Sequence, residues 1–482
     1  MEAFAAGVAA VDSFMWGWFM IIILLGTHLI MTVRTKFIQR KIGTAIKLSI
    51  TKDPDAQGDV SQFGALATAL AATIGTGNIV GVATGLLSGG PGAIFWMWIT
   101  GVFGIATKYS ECYISVRWRI KDHKGEMLGG AMYALQRGFV ERFGQNAELL
   151  GRILGIIFAF LAAVASFGIG ASVQSNSLTS TLTSTFDFGG NTTVVNWVIA
   201  VIVVILVGIV VIGGVKSITR VTEKLVPIMA ALYALGCIII CCMNWNYLGE
   251  ALALIVTCAF TGKAAFGGAV GSTVMLALQF GFKRGLFSNE SGMGSAPLVA
   301  SSATTRNPAR QALVSMSGTF WDTVIICALT GLMLVSTMCK FPEIGEAILA
   351  GEVTAAAELS TMAFQQIPVV GPITLAIGMI CFTYSTMLGW CQYGNRAIAY
   401  LFGKRGILPF QIVFLFFVGW GCVASGSLVW DLADIANAAM ALPNVIAVLA
   451  LSGIIAKETQ HYVYDGNLDE IDDREIPVDE SR

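Results

Sequence analysis

Charged residues are scarce in this chain of 482 residues: Asp, Glu, Lys and Arg make up 12% of it, whereas apolar residues make up 55%. An average soluble domain has about 25% charged residues. Eleven apolar runs, each of about 20 residues and therefore long enough to cross a bilayer, use about half of the chain. The composition excludes an ordinary water-soluble globule and indicates a polytopic membrane protein.

Histidine and paired cysteines are also in short supply. The three histidines, His28, His123 and His461, are too scattered for a metal cluster, and no CxxC motif occurs among the ten cysteines. Residues 457–482 contain nine acidic and three basic residues, so the rest of the chain carries a net charge of +5. No basic nucleic-acid-binding domain is present. We interpret the acidic end as a solvated, mobile cytoplasmic tail.

The apolar runs predict eleven transmembrane helices. They are placed at residues 14–33, 64–86, 93–116, 152–176, 193–213, 221–243, 267–300, 310–338, 372–402, 406–424 and 430–455. Arg34, Lys36, Arg40 and Lys41 follow the first helix, which predicts that the N-terminus is outside and, after eleven spans, the C-terminus is cytoplasmic. The predicted fold class is therefore an all-α polytopic membrane protein, and we expect it in the cytoplasmic (inner) membrane of a bacterium.

Two segments, 126–142 and 354–367, are too polar to span but are patterned like helices that lie at a membrane face. Each falls between the second and third helix of a five-helix set, helices 2–6 and helices 7–11. Because five is odd, the two sets run in opposite senses, which predicts an inverted repeat. The predicted domains are an N-terminal helix and loop (1–53), two repeats (54–250 and 251–456) and the tail (457–482).

The first helix of each set is interrupted. Helix 2 has Gly-Thr-Gly-Asn at 75–78, and helix 7 reads GSTVMLALQFGFKRGLFSNESGMGSAPL. A break at mid-membrane frees backbone NH groups and carbonyl oxygens that are costly to leave unsatisfied in lipid. The NH groups suit a carboxylate and the carbonyl oxygens suit a cation such as sodium. The alternative is an unbroken helix whose glycines, at 77, 81 and 85, form a packing face.

Four stretches carry a resemblance to a known family: GTGNIVGVA (75–83), PGAIFWMW (91–98), GEMLGGAMYAL (125–135) and KRGLFSNESGMGSAP (283–297). Together they resemble the alanine/glycine:cation symporter family, also known as sodium:alanine symporters. The resemblance implies a LeuT-type five-plus-five inverted repeat with one extra N-terminal helix. It also implies a secondary-active symporter, not an enzyme, that imports alanine or glycine with sodium as coupling ion and needs no cofactor. The alternative is a proton-coupled carrier of another small neutral amino acid.

The resemblance also implies site residues. Backbone NH groups of Thr76 and Gly77 would bind the carboxylate of the amino acid, and a second break in helix 7 is expected at residues 279–281. The candidate substrate-binding residues are Thr73, Gly75, Thr76, Gly77, Asn78, Gln174, Asn176, Gln279, Phe280, Gly281, Thr386 and Trp390. The candidate sodium ligands are carbonyl oxygens of Ala71, Ile74 and Phe382 and hydroxyls of Ser385 and Thr386. Alternatively, these hydroxyls bond back to the preceding helical turn, and the aromatic residues and the amides of helix 4 serve packing and the helix end.

Charged residues at membrane depth are expensive and therefore candidates for function. Asp322 lines an ion or proton path or anchors a structural hydrogen bond, whereas Lys108 and Glu111 are spaced for a structural ion pair. We place Lys283, Arg284 and Glu290 on the inner half of helix 7, as a gate or vestibule network. Carriers of the resembling type with a second sodium site have a threonine where we align Met275, which argues against a second sodium ion.

Overall fold

The computed structural model describes residues 2–479, apart from 52, 54–55, 187, 189–190, 262–272, 350–352, 354–355 and 425. The first half contains α1 (Glu2–Met15), α2 (Trp18–Arg34), α3 (Ile42–Ser49), α4 (Gln62–Thr73), α5 (Val82–Gly89), α6 (Pro91–Arg117), β1 (Ile120–Asp122), β2 (Met127–Leu128), α7 (Ala131–Tyr133), α8 (Phe139–Phe143), α9 (Glu148–Ala165), α10 (Val173–Thr185), α11 (Thr192–Ile212) and α12 (Gly214–Met243). The second half contains α13 (Leu248–Phe260), α14 (Val274–Asn289), α15 (Pro297–Ala300), α16 (Pro308–Thr319), α17 (Ala328–Lys340), α18 (Glu343–Leu349), α19 (Ala356–Phe364), α20 (Val370–Phe402), α21 (Ile407–Gly421), α22 (Gly426–Thr459) and β3 (Val478–Asp479).

The predicted helical segments coincide with helices of the structure. Seven helical stretches are long and apolar enough to cross a membrane, and the bent pair of α4 and α5 would make an eighth among the described residues. On α11, apolar side chains such as Ile202, Ile205 and Ile209 are exposed, as expected for a surface that faces lipid. The chain is an integral membrane protein; the count of eleven spans and the inverted repeat stay predictions. Residues 267–272 of predicted helix 7 lie outside the described part.

Four helices in the described part of the chain begin at a capping side chain. Ser61 accepts a hydrogen bond from the backbone NH of Gly64 at the start of α4, and Asn307 accepts one from the NH of Arg310 before Pro308 at the start of α16. Such side chains satisfy NH groups that have no partner within the helix. These caps stabilise the starts of α4 and α16, whereas helices such as α6 and α9 begin without a side-chain cap.

Both predicted surface segments are helical. In the first, α7 continues through a π-helical turn, Ala134–Gly138, into α8, while β2 occupies its beginning as part of a hairpin with β1. In the second, α19 lies between α17 and α20, and residues 354–355 are outside the described part.

The C-terminal tail is docked, not mobile as expected. β3 pairs in parallel with β1, and the backbone NH of Lys121 donates to the carbonyl oxygen of Pro477 at 2.8 Å. The side-chain amide of Asn307 donates to carbonyl oxygens of Leu468 and Glu470, each at 2.9 Å. The prediction of a mobile tail, made from its charge, is wrong because the pairing of β3 with β1 and the hydrogen bonds from Asn307 hold the segment. We call the end of the molecule with residues 120–128 and 465–479 the tail face.

Candidate functional site

Predicted helix 2 is broken. α4 ends at Thr73, and Ile74 is extended with φ −74° and ψ 91°. A π-helical turn, Gly77–Gly81, then leads into α5. The axis of α4 is bent by 51° from that of residues 77–89. The NH of Thr76 donates to Gln174 Oε1 at 3.3 Å, while the NH of Gly75 donates to the side-chain oxygen of Asn78 at 3.0 Å. Buried side chains thus satisfy backbone groups that the break has freed, and the alternative of an unbroken helix is wrong.

Three helices meet the break at Gly75 and Gly77. A Cβ atom added there would lie 3.2 Å from Gln174 Oε1 and closer still to the hydroxyl of Thr386. At Gly77 an added Cβ would lie 3.1 Å from the Cα atom of Ser288 on α14. The absence of side chains therefore lets α10, α14 and α20 reach the break.

The second break is real but is not at residues 279–281. α14 is continuous through Gln279, Phe280 and Gly281 and ends at Asn289; Glu290, Gly292 and Gly294 then have positive φ angles before α15 begins. Gly281 serves close packing, because an added Cβ would lie 2.6 Å from the carbonyl oxygen of Ala93 on α6. Glycine allows both close packing and helix breaking, so the glycine pattern did not separate these positions. Substrate contact by residues 279–281 stays a prediction, without the break that motivated it.

The predicted pair of Lys108 and Glu111 exists, with 3.0 Å between Nζ and Oε1. The other carboxylate oxygen of Glu111 accepts hydrogen bonds from the NH groups of Gly292 and Gly294, at 3.0 and 3.1 Å, and from the amide of Asn444 at 2.8 Å. Glu111 therefore holds the second break in place, and the ion pair keeps its charge balanced in the protein interior.

Asp322 lies between the two breaks. Its carboxylate accepts hydrogen bonds from the side chains of Asn78 at 2.8 Å, Ser288 at 2.9 Å and Thr323 at 2.6 Å. Asp322 is on a π-helical turn, Phe320–Cys327, a rare element that is frequent at functional sites. Ser288, which the sequence analysis missed, stands two residues before the break. Met275 is therefore not the residue at that position, and the argument against a second sodium ion no longer holds.

The candidate ion ligands are only partly brought together. The hydroxyl of Thr386 donates to the carbonyl oxygen of Ala71 at 3.0 Å, across the contact between α20 and α4. The hydroxyl of Ser385 instead donates back to the carbonyl of Phe382 at 3.0 Å and lies 3.3 Å from the sulfur of Met229. Thr386 is thus positioned between helices, whereas Ser385 follows the alternative in which the hydroxyl bonds within its own helix.

Three further candidates have contacts elsewhere. The hydroxyl of Thr73 donates back to the carbonyl of Ala69 at 3.2 Å, and the amide of Asn176 donates to two carbonyl oxygens at the end of α21, at 3.2 and 3.0 Å. Trp390 is buried and packs edge-on against Tyr393, with 5.3 Å between ring centroids. These contacts place the three side chains in the scaffold around the break, and their contact with substrate stays a prediction.

Aromatic rings that the sequence analysis missed lie beside the first break. The ring of Phe287 is 4.8 Å from that of Trp430 between centroids, and an added Cβ at Gly77 would lie 3.2 Å from Phe287. The guanidinium of Arg284 lies 4.7 Å from the Trp430 ring, a cation–π arrangement. No local pattern marks these two rings, because aromatic residues are common in apolar spans.

Lys283 and Arg284 both precede the second break, on α14. With the N-terminus outside, as predicted, they fall on the outer half of helix 7 and not on the inner half, where the sequence analysis placed them. Lys283 pairs with Asp12 on α1 at 2.5 Å, and both basic residues pair with Asp434 near the start of α22, at 2.9 and 3.2 Å. α1 and the start of α22 lie at the end of the molecule opposite the tail face. The cluster thus closes the break from that opposite end.

The model of the "Sodium:alanine symporter family" matches residues 1–474 of this chain. The chain belongs to the sodium:alanine symporter family. It is 44% identical over 463 residues to "Sodium/alanine symporter AgcS" of Methanococcus maripaludis, covering 95% of this chain and 97% of that protein. It is also 44% identical over 473 residues to an "Uncharacterized transporter" of Haemophilus influenzae, covering 97% and 98% of the two chains.

The solved structure of MhsT in complex with L-phenylalanine superimposes with a TM-score of 0.52 at 14% identity, covering 84% of this chain and 99% of that one. This structural similarity shows that the chain has a LeuT-type fold. The family and these relatives are transporters, not enzymes.

Proposed function

We propose that this chain is a secondary-active symporter that imports alanine or glycine together with sodium across the cytoplasmic membrane. One observation carries the proposal: at the break, the NH of Thr76 faces Gln174 and the carbonyl oxygen of Ala71 faces Thr386. A donor for a carboxylate and an acceptor for a cation thus lie a few residues apart on one buried segment. The family and the printed name of the 44% identical relative, a sodium/alanine symporter, support the same function.

In this proposal the carboxylate of the substrate takes the place of Gln174 at the freed NH groups of Thr76 and Gly77, with the dipole of α5 behind them. The sodium ion replaces the hydrogen between Thr386 and Ala71: the hydroxyl turns its hydrogen away and both oxygen atoms face the cation. Phe287 and Trp430 bound the space beside Gly77, which favours a small side chain on the substrate.

Alternating access follows from the two broken helices. α4–α6 and α14–α17 would rock against the remaining helices around the fixed site. The cluster of Lys283, Arg284 and Asp434 would close the outer side, with the N-terminus outside. At the tail face, Arg396 of α20 donates to the hydroxyl of Ser302 at 2.7 Å, a contact that would have to break when the site opens to the cytoplasm.

A second candidate is a proton-coupled carrier of another small neutral amino acid. The observation that favours it is the buried carboxylate of Asp322 next to the break, held by three hydrogen bonds. A carboxylate that changes protonation during the cycle would couple transport to protons, whereas a permanently ionised one would serve a sodium ion.

The test is uptake of labelled alanine into proteoliposomes under a sodium gradient, a proton gradient or neither. Accumulation driven by sodium alone supports the first function, and accumulation driven by protons alone supports the second. Thr386→Ala should raise the sodium concentration for half-maximal uptake about tenfold or more, since one ligand to a charged ion is lost. The matched control is Thr383→Ala on the same helix, whose hydroxyl bonds back to Met379. Uptake that is indifferent to both gradients contradicts both functions.

A further inference from the structure

A groove outside the transport site opens on the side of the helical bundle. It has a volume of about 640 Å³ and lies between α11, α12 and α20, with one residue of α10 at its floor. Leu178, Thr383 and Met387 are buried at the floor, whereas Leu206 and Ile228 are exposed at the rim. The hydroxyl of Tyr384 donates to the backbone carbonyl of residue 206 at 3.1 Å, which fixes the spacing of α20 and α11 beside the groove.

Two basic residues stand at one end of this apolar groove. Arg220 and Lys224 line it, one helical turn apart on α12, and both are exposed. Neither makes an ion pair or a side-chain hydrogen bond within the part of the chain that the structure describes. The same face of α12 continues with Val221, Leu225 and Ile228 toward the middle of the span. One element therefore combines an uncompensated positive pair with a continuous apolar slot.

The position of the pair along α12 matches the depth of a lipid headgroup. A helix of 30 residues is about 45 Å long, and the hydrocarbon core of a bilayer is about 30 Å thick. The seventh residue of the helix, Arg220, lies about 9 Å from the helix start, where hydrocarbon gives way to headgroups. α12 begins at the tail face, because its first residues Gly214 and Val215 line a small cavity together with Glu126 and Leu128, so the pair belongs to the leaflet on that side.

We propose that the groove binds one anionic glycerophospholipid, with its phosphate at Arg220 and Lys224 and one acyl chain between α11, α12 and α20. Charge complementarity selects an anionic lipid, because two cations without a protein partner stand at one end of the groove: Arg220 lies at headgroup depth, and Lys224, one turn deeper, reaches that depth with its long side chain. Basic pockets between membrane helices bind such headgroups. A zwitterionic lipid would fill the slot but would leave the two charges only half neutralised.

The lipid would act on the contact between α12 and α20. Met229 follows the lining residue Ile228, and its sulfur lies 3.3 Å from the hydroxyl of Ser385. Ser385 stands between the lining residues Tyr384 and Met387 and is next to Thr386. An acyl chain wedged between the two helices fixes their separation at this point. The groove is thus a site from which membrane composition reaches the region of the candidate ion site without contact to the substrate.

The experiment is a lipid titration of the full chain in nonionic detergent, followed by native mass spectrometry, with palmitoyl-oleoyl phosphatidylglycerol or phosphatidylcholine as probe. We expect one saturable phosphatidylglycerol adduct at concentrations at which phosphatidylcholine gives none. Arg220→Gln with Lys224→Gln should weaken that adduct about thirtyfold, since each basic residue near a membrane surface contributes about a factor of five. Cys381→Trp, which fills the groove, should remove it.

Matched controls separate a built site from general attraction. Lys47→Gln with Arg405→Gln removes two exposed charges elsewhere, and Cys242→Trp adds the same ring at an exposed cysteine of α12; both should keep the adduct. Each variant is first shown to have the unfolding temperature of the parent chain without added lipid. Equal loss in the control pair, an adduct that survives Cys381→Trp, displacement of the lipid by millimolar inorganic phosphate, or a change from monomer to dimer with the charge variant would each overturn the proposal.

Discussion

The side-chain amide of Asn78 donates a hydrogen bond to the carboxylate of Asp322 across 2.8 Å. The same Asn78 accepts the NH of Gly75 through its oxygen. One side chain therefore connects the broken backbone of the first predicted repeat to a buried acid in the second. The bond makes the shape of the break sensitive to the state of Asp322.

We expect Asp322→Asn to reduce alanine uptake at least tenfold. An amide accepts through one oxygen only, so at least one of the three donors around Asp322 loses its partner, at a cost of about 1–3 kcal/mol for a buried group. Uptake and substrate counterflow are measured together: if the proton-coupled reading holds, counterflow survives while gradient-driven uptake is lost. Asp473→Asn, an exposed acid of the tail, is the control. Wild-type uptake in Asp322→Asn would contradict a role for the cluster.

Gly75→Ala should abolish alanine binding while Gly81→Ala should not. The added methyl group at Gly75 meets Gln174 and Thr386, whereas at Gly81 the nearest atom, the carbonyl oxygen of Thr76, is 3.7 Å away, an ordinary contact. Binding of labelled alanine to the purified protein, with and without sodium, measures the difference. Equal behaviour of the two variants would show that the meeting of helices at Gly75 is not the binding site.

Glu111→Gln should destabilise the fold by about 3–5 kcal/mol, because it leaves Lys108 as an uncompensated buried charge. The amide of Gln keeps one acceptor oxygen, so its NH2 group must face either Lys108 or the NH groups of Gly292 and Gly294, which adds to the effect. Thermal unfolding in detergent measures it. The double variant Lys108→Met with Glu111→Gln should be more stable than the single one, since no unpaired charge remains. A double variant that is less stable than the single one would contradict the ion-pair argument.

Removal of residues 465–482 should expose β1 to solvent exchange. The backbone NH of Lys121 donates to Pro477, whereas the NH of Asp122 donates to Glu126 within the hairpin. Amide hydrogen exchange of Lys121 should therefore accelerate in the truncated chain while that of Asp122 stays slow. Unchanged exchange at Lys121 would mean that the tail is mobile, as its composition suggests.

The hairpin at the tail face should loosen in acid. Burial by itself raises the pKa of Asp122, but hydrogen bonds from Lys404 and from the NH groups of Lys124 and Glu126 outweigh it, so the pKa lies below its ordinary value of 3.8. Because folding lowers the pKa of Asp122, its ionised carboxylate stabilises the fold fully at a pH above its ordinary pKa. This stabilisation is lost as the pH falls through the lower pKa of the folded state. Limited proteolysis within residues 120–128 should therefore be faster at that low pH, and the Asp122→Asn variant should be cleaved readily at all pH values. A pH-independent cleavage rate would contradict the prediction.

Sequence and structure agree on features that depend on residues close together in the chain, and less on features that depend on residues far apart. The glycine spacing between residues 75 and 85 left both a break after Thr73 and an unbroken packing face open, and the family resemblance selected the break. The pair of Lys108 and Glu111 was predictable because a helix places residues three apart on one face. The position of the second break was not predictable, since Gly281 packs against α6 whereas Gly292 lies where the helix is broken, and both are glycines of the same segment.

The sequence by itself determined that this chain lies in a membrane and which segments are its main apolar helices, because hydropathy is a property of residues that are close together in the chain. Only the tertiary structure decided that Glu111 holds the second break, that Asp322 meets Asn78 and that the acidic tail is docked. Those outcomes depend on distances between residues far apart in the chain, which are fixed by how helices pack and which buried polar groups find partners.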